Sequence, residues 1–252
     1  MPDPLAALLH KVITAGRVQV FTDFDGTLAE IGPSPLHVEL RPAVRAAVEA
    51  VAAHPRLRLA VVSGRDIANL RDRVRLPDIA YAGNHGLEIS GPGYEFVEPT
   101  AEAGVAALAG VIAALRTALP GVEVQDKRLT ATVHVPDRSP AEVSVIRAAV
   151  EAVVAGRFAV RSGRVTIDVR PAVDWHKGRA VAWLRQRWAD PAAVPVFLGD
   201  DPSDEDGFAA CADGVTVLVG PERPTLARYR LPDPAAVAAF LRAVADSGEQ
   251  AA

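Results

Sequence analysis

Cysteine is nearly absent from this chain. Cys211 stands alone among 252 residues, which excludes an internal disulfide and sets the expectation of a cytoplasmic protein. Strong charge of one sign is also missing: the formal net charge is −4, which argues against a nucleic-acid-binding surface. No apolar run is long and uncharged enough to span a bilayer, so no membrane partner is expected. The N-terminal string LAALLHKVI is short, follows no basic cluster and meets no A-x-A cleavage pattern. It reads as an ordinary helix and not as a leader. There is no internal repeat. What remains is a chain that is half apolar, enough for a substantial core in one large or two modest domains, and expected to be monomeric.

The most informative stretch is 18–31, VQVFTDFDGTLAEI. Val18, Val20 and Phe21 read as a buried strand that runs into Asp23, Asp25 and Gly26. Such a strand places its carboxylates at the carboxyl end of a sheet, where open α/β folds keep their ligands. Alternate strand positions point the same way, so Asp23 and Asp25 can face one site if the extended geometry persists. Two carboxylates about 4 Å apart repel by roughly 4 kcal/mol at an effective dielectric near 20. Either one is protonated or a cation sits between them. Both solutions serve phosphoryl transfer, in which a cation neutralises phosphate oxygens and a carboxylate acts as nucleophile. A solvated acidic turn is the plainer alternative.

Strand and helix alternate on either side of an insert. Pro42 opens a helix with Val44, Val48 and Val51 on one stripe, and Leu57–Val62 is a strand ending in Ser63-Gly64-Arg65. A helix over 66–74 and a strand over 79–82 follow, ending in Gly83-Asn84-His85-Gly86, then a hairpin around Gly91-Pro92-Gly93. The order implies a doubly wound parallel sheet. The middle changes to helix 101–119, strands 122–125 and 129–135, a helix with a capping box from Ser139 to Glu142, and strands 158–161 and 165–170 about the turn Ser162-Gly163-Arg164. Alternation then resumes with a helix from His176-Lys177, a strand 196–198 before the acids 200–206, a strand Val215–Val219 and a helix capped by Asp233-Pro234. The expected division is a core over 1–103 and 173–252, with an inserted α+β cap at 104–172.

Each polar motif has two readings. Ser63 can bind phosphate near a helix N-terminus or simply cap that helix. Lys177 can neutralise a phosphate and a carboxylate, or lie solvated on its helix. The acids of GDDPSDED repel one another, and the helix that follows meets part of that cost while a divalent cation meets more. His85 can be a satisfied core histidine. In the insert, Thr130, Thr132, His134, Thr166, Asp168 and Arg170 share a polar sheet face, which is either solvated or turned to a polar ligand. Cys211 reads as an apolar filler.

DFDGTL, SGR, Lys177 and GDDPSDED, in that order, resemble the four motifs of the haloacid-dehalogenase (HAD) superfamily of phosphatases. With NHGLEI, HKGRA and an α/β insert between the second and third motifs, the chain looks like the trehalose-6-phosphate phosphatase family, whose cap is of type C2B. The resemblance implies Asp23 as nucleophile and Asp25 as general acid and base. It implies Mg2+ held by Asp23, the Asp25 backbone carbonyl and Asp200, with Asp204 close by. Ser63 and Lys177 would hold the phosphate. Gly64, Arg65, Asn84, His85, Gly86, Lys127, His134, Asp168 and Arg170 would contact the substrate, a small sugar phosphate. The family pattern often has an arginine where this chain has Pro136, and a glutamate where it has Asp168, so the sugar pocket is expected to be reshaped. The expected reaction is hydrolysis of trehalose 6-phosphate. The alternatives are the phosphate of another disaccharide, glycosyl or pseudo-disaccharide compound, a phosphomutase, or a sugar-phosphate sensor that has lost catalysis.

Overall fold

The computed structural model describes residues 12, 16–32, 38–163 and 165–247. Apart from Val12, the helix expected over 5–13 lies outside the described residues, as does Arg164 of the Ser162-Gly163-Arg164 turn. The chain divides into two compact units, one of residues up to Phe96 together with His176 onward, the other Val97–Trp175.

The first unit is built on an eight-stranded sheet. Its strands are β1 (Val18–Thr22), β2 (Leu57–Val62), β3 (Ala80–Gly83), β4 (Glu88–Gly91) and β5 (Tyr94–Val97), then β10 (Val194–Gly199), β11 (Val215–Val219) and β12 (Tyr229–Leu231). The spatial order is β12-β11-β10-β1-β2-β3-β4-β5, parallel from β12 to β3 and antiparallel at β3–β4. β1 is central and every residue in it is buried, Gln19 included, as expected of a strand covered on both faces. Val18 and Val20 join the core formed by α1 (Pro42–Ala53) and the C-terminal helix α7 (Pro234–Ser247), through Val44, Val48, Val51, Val237, Leu241 and Val244. Phe21 faces the other way and stacks on Trp188 of α6 (Lys177–Trp188), centroids 5.2 Å apart. Burial of each such side chain contributes about 1.5–3 kcal/mol. Register sets the function of the sheet: Thr22 pairs with Val61 of β2 and Leu198 of β10, so the three strands end almost level. Asp23, Ser63 and Asp200, each just beyond its strand, are thereby brought to one edge.

The second unit carries an antiparallel sheet in the order β6-β7-β9-β8, from β6 (Val124–Asp126), β7 (Ala131–His134), β8 (Phe158–Ser162) and β9 (Thr166–Pro171). Its apolar residues Val133, Ile167 and Val169 share a core with Leu108, Val111, Ile112 and Leu115 of α4 (Val105–Ala118) and Ile146, Val150 and Val154 of α5 (Pro140–Val154). The capping box expected at Ser139 is formed, with Ser139 N–H donating to Glu142 Oε2 at 2.8 Å and Glu142 N–H to Ser139 Oγ at 3.3 Å. The single helix expected over 101–119 is two: α3 (Pro99–Ala103) and α4, broken at Gly104. The Gly104 N–H bonds to the carbonyls of Thr100 and Ala101, a tightened last turn at the residue with the weakest helix preference after proline. Among the described residues no helix is long and apolar enough to cross a membrane.

Candidate active site

The site begins with the turn after β1. Asp23 is tied to β10 through its N–H, which donates to the Leu198 carbonyl at 2.9 Å. Phe24 accepts from both Leu28 and Ala29, and Gly26 N–H donates to Ala29 at 2.7 Å, which closes the DFDGTL loop on itself. Gly26 has φ +82, and a Cβ there would overlap the Asp200 carboxylate. Glycine is required on both counts: the left-handed backbone, and the close approach of a second acid.

Lys177, first residue of α6, is buried and not a solvated helix lysine. Its Nζ donates to Asp23 Oδ1 at 2.9 Å and to Asp204 Oδ1 at 2.7 Å. Burial alone pulls its pKa down, and Asp204 and Asp23 outweigh that and hold it above the ordinary lysine value. Asp204 Oδ2 accepts from the Asp201 N–H at 2.9 Å, so both its oxygens are engaged. Burial pushes Asp23 and Asp204 upward and Lys177 opposes it, while Asp200 is pushed up to about 7 by burial and by Asp204.

One oxygen from each of Asp23, Asp200 and Asp204 lies within 4.8 Å of the others. Asp200 Oδ1 is shielded from solvent and accepts no hydrogen bond among the described residues. Converging carboxylates with an orphaned buried oxygen suit a hard divalent cation, which takes oxygen ligands. The Asp25 carboxylate is not in this trio. Arg65 holds it in a two-point ion pair, Nε to Oδ2 and Nη2 to Oδ1, each 2.6 Å. The Arg65 guanidinium is in turn fixed by Asn69 Oδ1 at 2.9 Å and lies 5.4 Å over the Phe24 ring.

Ser63 is buried at the end of β2, and its Oγ accepts from the Arg65 N–H at 3.3 Å. It is not the cap of the next helix, α2 (Ile67–Val74): Asp66 is, accepting from Asn69 N–H. The turn Asn84–Gly86 locks onto this loop. His85 N–H donates to the Ser63 carbonyl at 2.8 Å, Asn84 N–H to the Arg65 carbonyl at 2.7 Å, and a Cβ on Gly64 would lie 2.7 Å from the His85 ring. Asn84 and His85 both adopt left-handed backbone, φ 51 and 59, and the Asn84 amide donates to Glu88 Oε1 at 2.8 Å. Gly86 is also left-handed, φ +97.

The remaining expected residues lie in the second unit. Lys127 N–H donates to the Thr130 carbonyl at 3.0 Å in the turn between β6 and β7. Thr132 Oγ1 donates to Asp168 Oδ1 at 2.6 Å, and His134 Nε2 meets Gln125 Oε1 at 3.0 Å. With Thr166 and Arg170 these side chains form the polar face that strand alternation predicts, because Thr132 pairs with Asp168 and His134 with Thr166. Gln125 was passed over by sequence reasoning. The signal was its register opposite Thr132, which alternation alone puts on the polar face.

Acidic and basic groups gathered at level strand ends of a doubly wound sheet, with an α+β insert, are the arrangement of a HAD fold. The trehalose-phosphatase family model matches residues 21–235, and the chain belongs to that family. The trehalose-phosphate phosphatase of Mycobacterium tuberculosis is 38% identical over 255 residues, covering 95% of this chain and 64% of the relative. This chain thus spans less than two thirds of that protein's length. Among solved structures, the Candida albicans trehalose-6-phosphate phosphatase C-terminal domain superposes with a TM-score of 0.81 at 20% identity, covering 96% of both chains. The Aspergillus fumigatus trehalose-6-phosphate phosphatase reaches 0.64 at 28% identity, covering 96% of this chain and 97% of that one.

Proposed function

We propose that this chain is a magnesium-dependent phosphatase that hydrolyses trehalose 6-phosphate to trehalose and phosphate through an aspartyl phosphate on Asp23. The observation that supports this most is the buried Lys177 ammonium bridging Asp23 and Asp204 beside Asp200. Three acids against one ammonium leave an excess of negative charge, which a divalent cation would balance, and with that cation in place the site would accept a phosphate dianion. Asp23, Asp200 and Asp204, with the Asp25 main-chain carbonyl, would hold Mg2+, which when bound supplies a Lewis acid for the phosphate oxygens.

The chain's own groups would do the rest. An Asp23 oxygen attacks phosphorus, the bond to the sugar oxygen breaks, and Asp25 gives that oxygen its proton. Water then attacks the aspartyl phosphate and gives a proton back to Asp25, which frees phosphate and Asp23. Lys177 and the Ser63 hydroxyl hold the phosphate oxygens, and Arg65, which pairs with both Asp25 oxygens, must release one of them for Asp25 to carry the proton. Residues 104–172 serve as the cap, in which Lys127, His134, Asp168 and Arg170 read sugar hydroxyls.

The test is phosphate release across trehalose 6-phosphate, sucrose 6-phosphate, glucose 6-phosphate and p-nitrophenyl phosphate, with Mg2+ or with a chelator. Preference for trehalose 6-phosphate, abolished by chelation, is expected. Metal-independent turnover, or turnover of none of the four, would sink the reading.

A further inference from the structure

The segment 220–228, between β11 and β12, takes no part in the chemistry above, yet it is tied to the acid turn at several points. Arg223 forms an ion pair with Glu205 through Nη1, and its Nη2 donates to the Asp201 carbonyl at 3.0 Å. Glu205 also accepts from the Thr225 hydroxyl at 2.9 Å and from the Leu226 N–H at 2.7 Å. One planar guanidinium therefore grips the main chain one residue after Asp200 and a side chain one residue after Asp204.

The turn has reason to need an outside grip. Asp200, Asp201, Asp204, Glu205 and Asp206 fall within seven residues, and their mutual repulsion works to spread them. Lys177 restrains Asp204 from the side of α6, and Arg223 restrains Asp201 and Glu205 through contacts that Lys177 does not make.

We propose that Arg223 is a positioning residue for divalent-metal binding: by anchoring Asp201 and Glu205 it keeps the Asp200 carboxylate beside those of Asp23 and Asp204. The proposal rests on the reading of these three acids as the metal site. Its sign separates it from simple charge. Removing a positive group near a cation site strengthens cation binding by electrostatics alone, whereas removing a brace weakens it.

The test measures Mn2+ binding to the full chain by calorimetry and by the paramagnetic resonance of the free ion. Arg223→Ala is expected to raise the dissociation constant about 10-fold or more, the range seen when outer partners of metal ligands are lost. Arg223→Lys, a point charge in place of a fork, is expected to fall between that variant and wild type. Activity lost in Arg223→Ala should return largely as Mg2+ is raised, so that the apparent metal constant moves far more than kcat. If Arg223→Ala does not fold, Arg223→Lys and Thr225→Val carry the test with smaller increases of the same sign. A dissociation constant that stays at the wild-type value or drops would overturn the positioning role. Failure of the wild-type chain to bind Mn2+ would overturn the underlying metal-site reading instead.

Discussion

At the scale of single residues, Lys177 is what opposes the push of burial toward protonating Asp23 and Asp204. Its removal leaves Asp23 and Asp204 buried together, and breaking a buried pair from one side costs about 3–5 kcal/mol. Lys177→Ala is therefore expected to lower stability by that order in metal-free buffer at pH 8, read by thermal or urea unfolding, and a near-neutral result would mean the ammonium is not where it is described. Asp200 supplies the pH dependence. Its folded pKa of about 7 lies above the unfolded value of about 3.9, so between those values the folded chain holds a proton that the unfolded chain has lost. Its contribution to metal-free stability is thus present at low pH and lost as pH rises toward 7, and Asp23 and Asp204, also raised by burial, act in the same direction. Metal ligands must be deprotonated, so stabilisation by Mg2+ should grow over that window. Melts at pH 5 to 8 with chelator and with Mg2+ check both trends, and a Mg2+ shift that shrinks as pH rises would contradict them. At Gly26, Gly26→Ala is expected to weaken Mn2+ binding more than it weakens the fold, because the added carbon meets the Asp200 carboxylate directly.

At the scale of elements, what could be read from the chain was whatever local chemistry decides. The Ser139 capping box stands where S-x-x-E puts it, and Ser139→Ala should cost about 1 kcal/mol in unfolding experiments, mostly through the lost N–H acceptor. The strand ends carrying Asp23, Ser63 and Asp200 were legible because buried parallel strands read as largely apolar runs, broken in β1 and β2 by Gln19 and Arg58. The break at Gly104 was hidden, since an isolated glycine in an alanine-rich run is compatible with one continuous helix. β12 was missed because three residues are too few to show alternation, and its pairing with β11 is purely tertiary. The same applies inside the site. Asp25 and Arg65 are forty residues apart, and nothing local to DFD or SGR says that one carboxylate of the pair joins the acid cluster while the other meets a guanidinium. Arg223 was invisible for that reason too.

At the scale of the whole molecule, each unit has its own apolar core. Among the described residues, the core of Val97–Trp175 is made of residues from that span, and the other is assembled from both ends of the chain. An excised 97–175 fragment is therefore expected to unfold cooperatively by itself, whereas a fragment ending at Phe96 lacks β10 beside β1 and should not. Circular dichroism of the two fragments checks this, and a non-cooperative 97–175 melt would mean the insert borrows its order from the rest of the chain. Covalent phosphorylation of Asp23 is the central step of the proposed reaction. The measurement that meets this most directly is rapid acid quench of the wild-type chain with trehalose 6-phosphate and Mg2+, followed by mass analysis of the peptide spanning 18–31. A single phosphoryl group on Asp23 that is absent from Asp23→Asn, with turnover in that variant reduced by roughly four orders of magnitude or more, is the expected result. Steady release of phosphate with an unmodified Asp23, and comparable turnover by Asp23→Asn, would contradict it.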